Sequence, residues 1–164
     1  MGDWDISVEY QEPLLAVYAH VLSETPEEDA SEILMKWAQE NELLSKCKDT
    51  RMFGCNTYPT KDPEPHGYKL FITVKEPINE TEEVKNGKIP GGYYAILRYT
   101  TISEMSRSWP ALRKWLVDGD YTHTGWRKGE YGWESGFEEN ISLYENLPPN
   151  EWKFKLMIPV KRKT

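Results

Sequence analysis

Two stretches of mixed apolar and polar residues, one near the middle of the chain and one near its end, are almost identical. YKLFITVK at 68–75 and FKLMIPVK at 154–161 share Lys, Leu, Ile, Val and Lys, 86 residues apart (154 − 68). Each stretch is typical of a β-strand, in which successive side chains point to opposite faces. A strand that occurs twice in this way predicts an internal duplication.

The segments that precede these strands repeat in the same order. LAVYAHV and YAILRYT are strand-like, MKWAQENEL and RKWLVDGDY share a Lys-Trp pair, and TRMFGCNTY and GFEENISLY supply one further strand each. This order predicts two β-α-β-β units, at about 6–76 and about 90–162, within a single domain that covers 1–164. A charged linker at about 77–89 ends at IPGG, where the glycines favour a turn between the units.

Helix signals support the same division. TPEE at 25–28 has the spacing of a capping box with Pro at the first helical position, and the apolar residues that follow it fall mostly on one stripe, from Ile33 to Leu44. In the second unit the stripe begins at Trp109. Because Pro110 disrupts a helix interior, that helix is predicted to begin close to Ser106 or Ser108.

The predicted fold class is therefore α+β. One β-α-β-β unit covers a single face of its sheet with its helix, so two units can pair into one curved antiparallel sheet with both helices on the outer face. The faces left uncovered would then meet in a ligand cleft between the repeats. Aromatic residues make up 13% of the chain, which favours either an aromatic-walled cleft or an aromatic core.

The strand GFEENISL carries the candidate chemistry. Alternation places Phe137 and Glu139 in one row and Glu138, Asn140 and Ser142 in the other. The first row is apolar enough to lie under the helices, and the second would face the cleft, although a shift of one residue inverts this choice. A carboxylate enclosed by aromatic walls either attracts a cation or serves as a general acid or base. The alternative is a solvated edge strand.

Charge and composition narrow the partners. The net charge of −7 disfavours direct nucleic-acid contact, and no apolar run has the length of a membrane span. The two cysteines and three histidines lack the spacing of metal ligands, so neither a metal nor a cofactor is expected. We expect a cytoplasmic protein with reduced thiols.

The ordered segments resemble a known family. TRMFGCNTYPTKDPEPHGYKLFITV, IPGGYYAILRY, SWPALRKWL, GFEENI and FKLMIPVK together are similar to the GyrI-like small-molecule-binding domain, also called the effector-binding domain of AraC-type and BmrR-type transcription activators. The resemblance extends from about Val8 to Lys161. It implies paired β-α-β-β repeats with a ligand cleft between them, a fold shared with SOUL-type proteins.

The resemblance also implies particular site residues. The family's acidic residue in the strand before the last one corresponds to Glu138, and its aromatic pocket positions correspond to Trp109, Tyr94 and Phe71. Strand alternation and proximity in the chain add wall and polar candidates: Tyr18, Tyr68, Tyr99, Trp133 and Asn140. Lys69 and Asn140 stand where many relatives have an acidic residue and an aromatic or histidine, respectively, so the polarity of the cleft is expected to differ from theirs.

Three functions follow from the resemblance. The first is binding of a lipophilic, aromatic or cationic small molecule, including xenobiotics or several drugs, with Glu138 as the charged group. The second is hydrolysis of a reactive small molecule, as in cyclopropanoid cyclopropyl hydrolases, with Glu138 as the catalytic residue. The third is a gyrase-inhibitor-like module with a protein partner. A stand-alone form is expected, because the first strand begins near residue 6 and leaves no room for a DNA-reading helix-turn-helix.

Overall fold

A computed structural model describes residues 4–43, 49–57, 66–124, 136–143 and 145–164. The elements of both predicted β-α-β-β units occur in the predicted order, and three further strands lie at Asp5–Gln11, Lys85–Ile89 and Tyr121–His123. The elements are β1 Asp5–Gln11, β2 Leu14–Ser23, α1 Pro26–Glu40, β3 Met52–Thr57, β4 His66–Thr73, β5 Lys85–Ile89, β6 Gly92–Thr100, α2 Met105–Asp118, β7 Tyr121–His123, β8 Phe137–Asn140 and β9 Phe154–Arg162, with short 3-10 helices at Ile102–Glu104 and Pro149–Glu151.

The strands form one curved antiparallel sheet in the order β1-β6-β9-β8-β3-β4-β2-β5, and β7 pairs with β9. The two halves meet at β8 and β3, and their registers agree residue by residue. Gly54 pairs with Leu70 in the first half, just as Glu138 pairs with Leu156 in the second. Gly54 and Glu138 also pair with each other across the centre. The duplication predicted from the sequence is therefore a pseudo-twofold relation about the β3–β8 pair.

Each half buries one face of its sheet beneath its own helix. Leu34 and Ala38 of α1 pack on the first half, and Leu112 and Leu116 of α2 pack on the second. The helical stripes supply these contacts because residues three and four apart share a helix face. Leu44, which the sequence assigned to the first stripe, lies outside the described residues.

The opposite face of the sheet holds a third, aromatic core. Phe137 lies at its centre, with ring centroids 5.8 Å from Phe53, 5.9 Å from Phe71 and 6.4 Å from Tyr94. All four side chains are essentially buried. The expectation that this uncovered face would contain the ligand cleft is wrong, because large side chains from both halves fill it. The row of Phe137 and Glu139 lies here and not under the helices.

Local signals were less accurate than the overall pattern. Thr25 makes no capping hydrogen bond to the backbone of α1; its hydroxyl donates instead to the Asp29 carboxylate at 3.3 Å. A capping box does form at Thr101–Glu104, immediately before α2. Residues 85–89 of the expected linker form strand β5, which pairs with β2.

Helix α2 begins one residue before the earlier of its two predicted starts. It starts at Met105 and contains Pro110. A short 3-10 turn at Ile102–Glu104 leads into it, so the proline falls in the second turn of α2. The backbone there loses one hydrogen bond, because proline has no N–H.

Candidate functional site

A cavity of about 640 Å³ lies between the two helices, above the central strands β3, β4 and β8. It straddles the junction of the repeats, because the helices cover the outer parts of the sheet and leave the β3–β8 pair between them. Most of its wall is apolar, and both repeats contribute to it. The apolar wall residues are Met35, Met52, Leu70, Ile102, Met105, Leu143, Leu147, Trp152 and Phe154.

Glu138 of β8 supplies a carboxylate to the floor of this cavity. Trp109 Nε1–H donates to one of its oxygens at 3.2 Å, and the Tyr68 hydroxyl donates to the other at 3.3 Å. Burial raises the pKa of Glu138 and outweighs the lowering effect of these two hydrogen bonds, while the negative charge of Glu27 raises it further. Glu138 is partly exposed and lines this cavity, so its carboxylate is available to a ligand there.

The neighbouring glutamate has a different role. Glu139 points to the opposite face, where it is 5% exposed. Arg51 binds it with two parallel hydrogen bonds, from Nε at 2.7 Å and from Nη2 at 2.8 Å. Such bidentate pairs fix geometry as well as charge. The pair ties β8 to the residue before β3, in the register that directs Glu138 into the cavity.

The charge around the cavity has one sign. Glu27 and Glu28 of α1 and Glu145 beyond β8 line it together with Glu138, and none of its described lining residues is Lys, Arg or His. Glu27, Glu28 and Glu145 are exposed, and Glu138 is the partly desolvated member of this set. A carboxylate in that setting favours a cation, since its attraction is screened less than it is in water. A lipophilic molecule with a positive charge therefore fits both the walls and the floor.

Comparison with known proteins agrees with this geometry. The family model for the GyrI-like small molecule binding domain matches residues 6–161. The chain belongs to this family. None of the curated proteins with which this GyrI-like chain was compared matches it in sequence.

Solved structures share the fold of this GyrI-like domain at low sequence identity. The EcmrR C-terminal domain has a TM-score of 0.73 and 11% identity, over 99% of this chain and 100% of that one. EcmrR in its complex with DNA has a TM-score of 0.75 and 11% identity, over 98% of this chain, which spans 58% of the EcmrR chain. A hydrolase from Listeria innocua has a TM-score of 0.66 and 10% identity, over 95% of this chain and 91% of that one.

Four of the predicted site residues of this GyrI-like domain meet at the cavity. Glu138, Tyr68 and Asn140 line it, and Trp109 is hydrogen-bonded to Glu138. The side-chain Oδ1 of Asn140 accepts a hydrogen bond from the backbone N–H of Ser142 at 2.9 Å. Asn140 therefore shapes the turn after β8 as well as the cavity wall.

The other predicted wall residues are not brought to this cavity. Phe71, Tyr94 and Tyr18 belong to the aromatic core on the opposite face. Tyr68 and Phe71 are three residues apart in one strand, so alternation directs them to opposite faces. Because Tyr68 faces the cavity, Phe71 faces the opposite side of the sheet.

Two further predicted residues also lie away from Glu138. Tyr99 is 60% exposed and stands at a register shift in β6, with a positive φ of 64°. The bulge turns its ring away from the ladder. Trp133 lies outside the described residues.

Sequence reasoning missed much of the apolar wall. Met35, Met52 and Met105 come from α1, β3 and α2 and line the cavity together with Trp152. Their signal was weak because methionine at helical or strand spacing equally indicates an ordinary core. The equivalence of the two repeats gave a stronger signal. Phe154 occupies the position in the second half that Tyr68 occupies in the first, and both residues line the cavity.

A second groove, of about 750 Å³, runs on the far side of α1. It is lined mainly by polar side chains, including exposed Glu82 and Glu83, whose charges water already solvates. Within the described ranges, no cluster of three or more His, Cys, Asp or Glu side chains is arranged to hold a metal ion. No helix in those ranges is long and apolar enough to cross a membrane.

Proposed function

We propose that the cavity between the helices binds a lipophilic monocation, with Glu138 as its counter-ion. The observation that carries this proposal is a carboxylate on the floor of a cavity whose walls are mainly apolar and whose rim is acidic. A cation can replace water beside Glu138 while its apolar body removes the methionine and aromatic surfaces from solvent. Sensing or sequestration of xenobiotics is the biological role that this chemistry would serve.

A matched pair of probes separates charge from shape. 10-Methylacridinium and acridine share one flat three-ring body, but at about pH 8 only the first is charged. Quenching of tryptophan fluorescence reports binding, because Trp109 and Trp152 both adjoin the cavity. We expect saturable quenching by both rings, with the cation bound at least about tenfold more tightly, as a charge interaction of about 1.4 kcal/mol would give. Equal affinities would refute the role of Glu138 as counter-ion.

A second candidate function is hydrolysis of an electrophilic small molecule. The pair of Glu138 and Tyr68 favours it, since the carboxylate and the hydroxyl are 3.3 Å apart. Burial raises the pKa of Tyr68 well above its usual range, which keeps the hydroxyl protonated and able to donate. The oxygen of water would bond to the electrophilic ring carbon and water would lose a proton to Glu138, while the strained C–C bond at that carbon breaks and its electron pair takes the proton of the Tyr68 hydroxyl. The proton on Glu138 would then return to Tyr68 through their hydrogen bond.

Turnover tests this second candidate separately from binding. The chain is incubated with an activated cyclopropane that absorbs in the ultraviolet, and its loss is compared with buffer and with Glu138→Gln. Hydrolysis above the buffer rate that is lost in the variant supports an enzyme. Loss at the buffer rate leaves binding as the function.

A further inference from the structure

Gly54 and Glu138 occupy equivalent positions in the two repeats. Phe53-Gly54-Cys55-Asn56 and Phe137-Glu138-Glu139-Asn140 have the same Phe and Asn at their ends, and both strands pair with their neighbours in the same register. The two residues also lie directly opposite each other across the β3–β8 pair. One repeat therefore supplies a carboxylate to the cavity floor, and the other supplies a position with no side chain.

The space above Gly54 is occupied by Tyr68. A Cβ atom built on Gly54 would lie 1.8 Å from the Tyr68 hydroxyl oxygen, 2.6 Å from Cζ and 3.1 Å from Cε2. The phenol thus crosses β3 where any other residue would place its Cβ, and it reaches Glu138 beyond. The backbone of Gly54 has no unusual φ angle, so conformational freedom does not account for a glycine at this point.

We propose that Gly54 is a positioning residue of the cation site, which admits the Tyr68 hydroxyl to the Glu138 carboxylate and thereby sets the strength with which the floor attracts a cation. This inference rests on the proposed binding function, and it assigns the ligand's charged end to the floor beside Glu138. Any side chain at this position would displace the phenol and leave the carboxylate with Trp109 as its one remaining donor among the contacts described.

The consequence is electrostatic as well as steric. A hydrogen bond donated to a carboxylate stabilises its ionised form, so the Tyr68 hydroxyl holds the pKa of Glu138 lower than burial alone would. The other ionisable groups that line this cavity or act on this carboxylate are Glu27 and Glu28 of α1, Cys55 of β3 and Glu145 beyond β8. The nearby cation, Lys69, acts on Cys55 and lies over the Tyr18 ring on the opposite face of the sheet. Among the titratable groups on the cavity side, Tyr68 is therefore the one that opposes protonation of Glu138, in addition to the larger effect of the Trp109 hydrogen bond.

The test compares Gly54→Ala with Tyr68→Phe. Affinity for 10-methylacridinium is measured from about pH 5 to about pH 9, and the ¹³C chemical shift of the Glu138 carboxyl is followed without ligand over the same range. Each titration has a midpoint pH, one for affinity and one for the carboxyl shift. We expect both variants to raise these two midpoints by about half a pH unit or more, and Gly54→Ala/Tyr68→Phe to raise them no further. Gly87→Ala is the matched control, since its Cβ would meet the Tyr18 ring at 2.8 Å, away from this cavity.

Each outcome bears on one claim. Unchanged midpoints in Gly54→Ala, with folding and wild-type binding intact, would overturn the inference. If the wild type binds no acridinium, the proposed function fails, and the carboxyl titration still decides the role of Gly54. If Gly54→Ala does not fold, folding restored in Gly54→Ala/Tyr68→Leu identifies the clash with the ring as the cause. If Gly54→Ala/Tyr68→Leu also does not fold, the inference is contradicted.

Discussion

Replacing Glu138 by Gln removes the charge on the cavity floor while keeping its shape. The amide oxygen can still accept from Trp109 Nε1–H, and the amide nitrogen can donate to the Tyr68 oxygen, because a hydroxyl also accepts. Both contacts of the wild-type side chain, at 3.2 Å and 3.3 Å, therefore have counterparts in the variant. The fold should be retained, and changes in affinity then report the lost charge.

The expected magnitude follows from the setting of the carboxylate. Two opposite charges about 4 Å apart attract by about 4 kcal/mol at an effective dielectric constant of about 20. Removing the cation from water offsets part of this, and the partial exposure of Glu138 screens it further, so a net loss of about 2 kcal/mol is reasonable. That loss corresponds to roughly 30-fold weaker binding of 10-methylacridinium. Neutral acridine should bind the two proteins alike.

Isothermal titration calorimetry at about pH 8 measures this difference directly. Glu12→Gln is the control, because it removes one exposed glutamate that lines neither the cavity nor the groove beyond α1 and changes the net charge equally. An equal loss of affinity in both variants would mean that the overall charge attracts the cation. The reasoning about the cavity floor would then be refuted.

Three further predictions concern stability. Arg51→Met leaves the buried carboxylate of Glu139 unpaired and should lower the free energy of unfolding by about 2 kcal/mol, which urea denaturation measures; an unchanged midpoint would contradict a structural role for this pair. Phe137→Ala removes the centre of the aromatic core and should cost about 3–5 kcal/mol, seen as a large fall in Tm; a fall of a degree or two would mean that this core is not tightly packed. Burial raises the pKa of Glu138 above 4.5 in the folded state, so protonated Glu138 stabilises the fold fully below about pH 4.5 and this stabilisation is lost as pH rises through the raised pKa. Over that pH range the free energy of unfolding of the wild type should fall relative to that of Glu138→Gln; parallel curves would contradict the raised pKa.

The repeat pattern determined most of what could be predicted about the fold. Two strand sequences 86 residues apart place β4 and β9 in equivalent roles, and the paired registers follow from that equivalence. A first strand near residue 6 was also predicted and corresponds to β1, whereas the strand within the expected linker was not predicted. Residues 85–89 have a lysine-rich sequence with a central glycine, which gives little strand signal, and they form β5 by pairing with β2.

The site was harder to predict because both faces of the sheet are packed. Sequence alternation separates Glu138 from Glu139, but it does not say which face the helices cover. The apolar row of Phe137 suggested a position under a helix, whereas those rings pack against rings from the other half. Long-range pairings of this kind, like that of Arg51 with Glu139, have no signature in the neighbouring sequence.

A crystal structure of the chain with 10-methylacridinium would show whether Glu138 is the counter-ion of a bound cation. We expect the ring between α1 and α2, packed on Met52 and Trp152, with its charged nitrogen nearest the Glu138 carboxylate. A ring bound in the groove beyond α1, or in the cavity with its nitrogen turned away from Glu138, would contradict this role of Glu138.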